Sequence, residues 1–368
     1  MSTPTVVAVR TRRVVVALHT PFVTALRRTT TTETVLVEVE DSDGLVGRGE
    51  SPQVWQVTGE SLAGAEACLA GPLSAAVVGA PAVPQEVWPR LSGAVVGNHG
   101  AKAAVDVALH DLAARRAGVT LAAHLGGPSG AVEVVTDVTL AAGDAPTLAS
   151  AARKRAAEGF GVVKMKVGAG PSAASDVSRV AAVRAAIGPD VGIRLDANQG
   201  WRADEAVRAI RDMEDAGLDV ELVEQPVPAR DLDALAFVTH HVETPVMADE
   251  SVFGLDDLVA VLRSRAAPLV NVKLAKCGGL TPALELLRVA RAHGLGTMVG
   301  SMMESHVGIA AAGALAAADA RALADLDAAW WAEASPYAGG PSYDGGRLLL
   351  PDAPGHGVTG VREAGSDA

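Results

Sequence analysis

Asp196, Glu224 and Asp249 each close a short apolar run, and they stand 28 and 25 residues apart. Lys166 lies 30 residues before the first of them; Lys273 follows the last by 24, and Ser301 follows Lys273 by 28. Each interval matches one strand-plus-helix unit, so one polar residue falls at the carboxyl end of each successive strand. That is the arrangement by which a (β/α) barrel gathers a site at one rim. A lone strand-end acid can cap a helix or pair with a base, but three in register argue for a shared cation. With no histidine or cysteine among them the ligands are hard oxygens, which suit Mg²⁺ rather than zinc. Lys164 and Lys166, two apart, share one face of a strand. Lys273 sits four strands away, on the far side of the proposed cation. Two bases on opposite faces of a substrate permit stereoinversion. Each works near neutrality only with a lowered pKa, a shift expected from the neighbouring Lys164 charge and the cation. Lys276, just outside its strand, is expected to pair with the acids.

The elements that must position these groups can be read from periodicity. Seven strand candidates recur from Val134 onward: Val134–Leu140, Val162–Val167, Val191–Asp196, Val220–Glu224, Pro245–Asp249, Leu269–Leu274 and Gly296–Ser301. Helical segments such as Asp204–Ala216 and Thr281–His293 lie between them, and alternating strand and helix implies a parallel sheet. Asp325-Leu-Asp327 is the candidate eighth strand. Before Val132 the pattern is α+β: an antiparallel meander through Val6–Val16 and Val35–Glu40 with a turn at Asp43-Gly44, then helical periodicity over Ala101–Ala117.

The chain has 368 residues, 49% hydrophobic and 20% charged, a globular balance that excludes a disordered chain. A net charge of −12 argues against nucleic-acid and anionic-membrane partners, which require a basic face. Cys68 and Cys277 offer neither a disulfide framework nor a paired metal motif. Cys277 reads as buried filler. Met1–Thr20 lacks a signal-peptide pattern, and Val307–Ala318, the longest uncharged apolar run, is too short for a membrane span, so a cytoplasmic location is expected. Gly168-Ala-Gly170 follows a strand but lacks the third glycine of a dinucleotide fingerprint and reads as a turn. His99 and His306 are isolated.

Lys164-Met-Lys166, Arg194-Leu-Asp-Ala-Asn-Gln-Gly-Trp201, Val223-Glu-Gln-Pro226, Met247-Ala-Asp-Glu-Ser251 and Asn271-Val-Lys-Leu-Ala-Lys-Cys-Gly-Gly279 together resemble the motifs of the enolase superfamily, and within it the muconate-lactonizing group. Gly44-Leu-Val-Gly-Arg-Gly-Glu50 extends the resemblance to the first third. The resemblance implies an α/β fold: a modified TIM barrel, (β/α)7β, with an N-terminal α+β capping domain completed by the C-terminal tail. The expected division is a cap over 1–126, a barrel over 127–335 and a returning segment over 336–368. It further implies Asp196, Glu224 and Asp249 as Mg²⁺ ligands, with Asn198 and Glu250 beside them. Lys166 and Lys273 would be the acid/base pair, and Lys164 would support the substrate carboxylate and enolate. The shared step is abstraction of a proton α to a carboxylate, a pKa-tuning problem for which enolase-superfamily sites are a known example.

Asp325-Leu-Asp327 resembles the Asp-x-Asp of dipeptide epimerases, which holds a substrate α-ammonium group, and Gly300–Gly308, with Ser301 and Met302 as expected substrate contacts, also resembles that subgroup. Phe22–Arg27 resembles a capping loop in which an arginine, here Arg27 or its neighbour Arg28, meets an acidic second residue. Thr139, ending the first barrel strand, is a candidate site-lining hydroxyl. The implied reaction is Mg-dependent epimerisation of a dipeptide at its second residue, with L-Ala-D/L-Glu as the nearest substrate. N-acylamino acid racemisation, o-succinylbenzoate synthesis or muconate cycloisomerisation would use the same site, and a non-catalytic ligand-binding protein is the reading of another class. A homo-oligomer is expected by family analogy.

Overall fold

Alternation of apolar and polar residues makes an antiparallel sheet of the three N-terminal strands. β1 (Val6–Val23), β2 (Arg28–Asp41) and β3 (Val46–Pro52) pair antiparallel in that order. Val35, Val37 and Val39 turn to one face and are buried against the helix His99–Ala117. The approach of sheet and helix explains two glycines: a Cβ on Gly47 would stand 2.0 Å from the Ala108 carbonyl oxygen, and one on Gly49 2.1 Å from that of Ala104. The computed structural model describes residues 3–23, 28–170 and 172–362. Arg27 lies outside them, as does the Arg28 side chain.

The second unit is an eight-stranded parallel sheet in sequence order: β5 (Val138–Leu140), β6 (Val162–Lys166), β7 (Gly192–Asp196), β8 (Val220–Glu224), β9 (Val246–Ala248), β10 (Leu269–Lys273), β11 (Gly296–Gly300) and β12 (Leu323–Asp325). Helices Ala145–Ala157, Ala173–Ile187, Ala203–Asp215, Leu232–His241, Leu255–Ser264, Leu280–Ala292 and His306–Ala318 follow the first seven strands. After β12 comes only a short 3-10 turn, Ala328–Trp331, so the barrel is (β/α)7β. Side chains close its seam: Leu326 N–H donates to Thr136 Oγ1 at 2.8 Å and Arg194 Nη1 to the Ala324 carbonyl at 3.1 Å.

Two strands differ from their expected extents. The eighth is Leu323–Asp325, so Asp327 lies beyond it, where the chain turns into the 3-10 segment. Val134–Leu140 is two strands, because Thr136 and Asp137 turn out of the ladder; Asp137 is fully buried and takes Arg194 Nη1 at 2.9 Å. The preceding piece, β4 (Val132–Val135), pairs outside the barrel with β15 (Arg347–Leu350), itself paired with β14 (Ser342–Asp344). The remaining C-terminal strands, β13 (Tyr337–Gly339) and β16 (Val358–Val361), pair with each other. Tyr337 and Val358 pack on Val14, Val16 and Leu36 of the first sheet. Arg115 donates to the Val358 carbonyl, and His356 N–H to Asp111 at 2.9 Å. No helix among the described residues is long and apolar enough to cross a membrane. Val307–Ala318 is part of a buried helix.

Candidate active site

Period-two strand geometry sorts the barrel interior into layers. Lower positions carry Leu222, Met247 and Met298, an apolar plug. Two residues further along three of the strands, Leu222, Met247 and Leu323 give way to Glu224, Asp249 and Asp325. Lys166 aligns with Asp196 and Asp196 with Glu224; on the other side Lys273 aligns with Gly300 and Gly300 with Asp325. Asp249 immediately follows β9. These residues surround a cavity of about 450 Å³ at the carboxyl ends of the strands. Thr139, Lys164, Lys166, Asn198, Asp249, Glu250, Lys273, Ser301, Met302, Asp325 and Asp327 all line it. Asp196 and Glu224 do not reach its surface and are fully buried beneath.

The acids and lysines engage one another. Lys166 Nζ contacts Asp196 Oδ2, and Lys164 Nζ contacts Asp325 Oδ2. Lys273 Nζ donates to Asp249 Oδ2 at 2.7 Å and lies 3.6 Å from Glu224 Oε1. Lys276, as its position suggested, pairs with Asp249, at 2.6 Å from Oδ1. Asn198 N–H and Nδ2 donate to the two oxygens of Asp196 at 2.8 and 3.1 Å, and Nδ2 also reaches Glu250 Oε1 at 3.3 Å.

Charge does not balance in this rim. Asp196, Glu224, Asp249, Glu250, Asp325 and Asp327 face four lysines, 164, 166, 273 and 276. Burial, reinforced by Asp196 and Asp249, pushes Glu224 up to about 8. Burial with the same two neighbours pushes Glu250 up to about 7. Burial would also raise Asp249, but Lys273 and Lys276 hold it well below the usual carboxylate range. Asp325 follows the same logic and sits at about 2, burial being outweighed mainly by Lys164 and Lys273.

Glu224 Oε2 and Glu250 Oε2 are buried with no hydrogen-bond partner. Unpaired buried carboxylate oxygens are costly unless a cation meets them. Among the described residues no three acids or imidazoles are already arranged around one point, because Asp196 and Asp249 are drawn onto lysines. The donor set, the orphaned oxygens and the excess of two carboxyl groups over lysines nonetheless fit a hard divalent ion.

The lysine pKa values depart from expectation. Burial alone would lower Lys273, yet Asp249 and Glu224 hold it well above its ordinary value. Lys164 is likewise raised, burial being overcome by Asp325 and Asp137. The carboxylates dominate because they outnumber the lysines.

Several functional features escaped the sequence. Gln225 has φ 37°, and its Oε1 accepts Asp249 N–H at 2.9 Å and Ser251 N–H at 3.2 Å, fixing one strand end from another. Asn198 and Gln199 also have positive φ, 41° and 68°, so three strained non-glycine residues crowd the rim, where strain commonly collects at functional sites. Phe22, Gln53, Val54, Gln56 and Val57 of the N-terminal unit roof the cavity, a contact no local pattern announces. Gly300 is required beside Lys273: a Cβ there would stand 2.6 Å from Asn271 Oδ1 and 2.9 Å from Lys273 Cε. Gly168, at φ 81°, makes the expected turn and lines the cavity.

Comparison with known proteins agrees with this geometry. The family model described as mandelate racemase / muconate lactonizing enzyme, N-terminal domain, matches residues 6–126, and that described as enolase C-terminal domain-like matches 147–364. The L-Ala-D/L-Glu epimerase of Bacillus subtilis is 40% identical over 358 residues, 97% of each chain. The structure of a substrate-liganded complex of that epimerase superposes with a TM-score of 0.94 at 39% identity, covering 98% of this chain and 100% of that one. The dipeptide epimerase from Enterococcus faecalis, complexed with Mg and dipeptide L-Leu-L-Tyr, gives 0.90 at 36% identity, covering 96% and 99%.

Proposed function

The chain belongs to the enolase superfamily, in its mandelate racemase / muconate lactonizing branch, and on that premise we propose that it epimerises a dipeptide at the α-carbon of its second residue with Mg²⁺. It is an isomerase acting on amino acid derivatives. The observation that carries the reading is the pairing of two lysines on opposite staves, Lys166 and Lys273, with two further carboxylates, Asp325 and Asp327, around one cavity. L-Ala-D/L-Glu is the nearest substrate, by similarity to the Bacillus subtilis and Clostridium acetobutylicum enzymes.

The residues divide the work as follows. Asp325 and Asp327 lie on alternate positions leaving β12 and bracket the space for a substrate α-ammonium group, a charge-assisted contact that an N-acylated substrate could not make. Asp196, Glu224 and Asp249 would hold the cation, with Asn198 orienting Asp196 and Gln225 fixing Asp249. A bound divalent ion would supply stabilisation of the negative charge that develops on the substrate carboxylate. Lys166 or Lys273, once neutral, takes the α-proton onto Nζ. The opposite lysine, as ammonium, returns a proton to the other face of the carbanion, so one Cα–H bond breaks and another forms with inversion. Lys164, in the cavity wall and kept positive by Asp325 and Asp137, lies where it can balance charge on the enolate. Ser301 and Met302 border the same space, their loop tied down by Ser301 N–H to the Asp325 carbonyl at 3.1 Å. The cap supplies Phe22, Gln53 and Val54, which close the cavity against water.

The division into a cap over 1–126, a barrel over 127–335 and a returning segment over 336–368 is part of this reading, supported by the packing of Tyr337 and Val358 on the first sheet. A cytoplasmic homo-oligomer is a further part of it, supported by family resemblance and by two free cysteines. Incubation of the enzyme with a dipeptide library in D₂O and Mg²⁺ tests the reaction: deuterium should enter the second residue's α-position, and its absence from every member would refute the reading.

A further inference from the structure

The sequence has only four Phe, five Trp and two Tyr, yet Phe22, Phe160, Trp330 and Trp331 meet at one point beside the barrel seam. His19 stacks on Trp331 at 5.6 Å, and the Arg155 guanidinium lies over Trp330 at 4.5 Å. Such clustering in an aromatic-poor chain could be packing alone. What sets Trp331 apart is its indole N–H, which donates to Asp327 Oδ2 at 3.0 Å.

Asp327 and Asp325 are held in different ways. Asp325 is neutralised by Lys164. Asp327 is in no ion pair among the described residues; its Oδ2 accepts two neutral donors, Trp331 Nε1 and Thr139 N–H at 2.7 Å. Neutral donors orient a carboxylate without cancelling its charge; burial and the neighbouring Asp325 push the Asp327 pKa up, so the unpaired carboxylate gains most from an incoming cation. Trp331 is 2% exposed and wedged by Phe22, which lines the cavity, so the indole cannot turn away.

Resting on the dipeptide reading, we infer that Trp331 is a positioning residue: its indole N–H sets Asp327 as the principal anchor for the substrate's α-ammonium group. Trp331 touches no reacting atom, so its removal should weaken capture of the amine and spare the chemistry.

The test compares L-Ala-L-Glu with N-propionyl-L-Glu, which has the same reacting carbon and no amine. Trp331→Phe should raise KM for the dipeptide about tenfold with kcat changed less than about twofold, the scale of one lost hydrogen bond to a charged group. KM for the propionyl compound should not move. Trp330→Phe, which removes an indole from the same cluster without touching a carboxylate, is the packing control and should alter neither. If Trp331→Phe folds poorly, 3-benzothienylalanine at 331 keeps the shape, puts sulfur in place of N–H, and should give the same split. An unchanged dipeptide KM, or an equal rise for both compounds, overturns the inference while leaving the dipeptide reading intact. Failure of the unmodified enzyme to exchange the α-proton of any dipeptide overturns both.

Discussion

Asn271 reaches from β10 to Glu224 on β8, its side-chain amide donating to Oε1 at 2.7 Å, while Oε2 of the same carboxylate stays buried with no partner. One oxygen is fixed and the other is left for a cation. Glu224→Gln keeps an oxygen for Asn271 and removes the charge. The unmodified protein should gain a few degrees in Tm on adding Mg²⁺ at about 100 times Kd, equivalent to about 2.7 kcal/mol, and the variant should gain almost none. Calorimetry with and without Mg²⁺ reads this directly; an equal gain in both proteins would remove Glu224 from the ligand set.

Asp325 and Asp327 should respond differently to neutralisation. Asp325→Asn removes the negative charge that Lys164 pairs with, which costs stability of about 3 kcal/mol as well as activity. Asp327→Asn leaves every lysine pair intact and should act mainly on KM, raising it about tenfold or more. Denaturant unfolding alongside steady-state kinetics separates the two; equal destabilisation by both changes would contradict the assignment.

Gly300→Ala places a methyl group against Asn271 Oδ1 and Lys273 Cε, so both must shift. Displacing a catalytic group by about 1 Å can cost about a hundredfold in rate. The variant should fold, bind Mg²⁺ and lose kcat on that scale, as followed by polarimetry of the dipeptide. Activity near that of the unmodified enzyme would show that Lys273 need not sit where it does.

A pH effect on stability arises where the cap meets the barrel. Thr281 Oγ1 donates to Asp106 at 2.7 Å and must therefore accept from His110 Nε2 at 2.9 Å, which leaves His110 Nδ1 to accept from His124 Nε2 at 3.1 Å. This chain needs a neutral His110, and burial, reinforced by His124, lowers it to about 3 from an ordinary value of 6.5. The unfolded chain takes up a proton below pH 6.5 that the folded one refuses down to about pH 3. Stability from this group is therefore complete above pH 6.5 and falls by about 1.4 kcal/mol per pH unit below it. Asp106, raised by burial to about 7, works in the opposite direction, so the comparison must be between variants. His110→Gln should flatten the fall in unfolding free energy between pH 6 and 4 by about one proton's worth; an unchanged slope would contradict it.

Period-two and unit-length spacing made much of the site legible in the sequence. Lys164 and Lys166 do share an inward face, Lys273 does stand four strands away, and the three acids do arrive on successive strands. Residues linked through other units were not legible. Gln53 and Val54 roof the cavity from over a hundred residues upstream, and the Trp331 indole meets Asp327 only because a 3-10 turn replaces the eighth helix. The upward pull on Lys273 was missed for a different reason: lysine spacing shows which charges are near, but burial and the excess of carboxylates decide the sign. Asp137, inside what read as one continuous strand, turns out of the ladder because Arg194 supplies it a buried partner.

The central claim is two-lysine proton exchange at the second α-carbon, and proton NMR of a dipeptide library in D₂O with Mg²⁺ measures it. The unmodified enzyme should replace the second residue's α-proton by deuterium and build up the epimer, while Lys166→Ala and Lys273→Ala each slow epimerisation by about a thousandfold or more. No exchange in any dipeptide, or epimerisation at the unmodified rate in either lysine variant, would contradict the account.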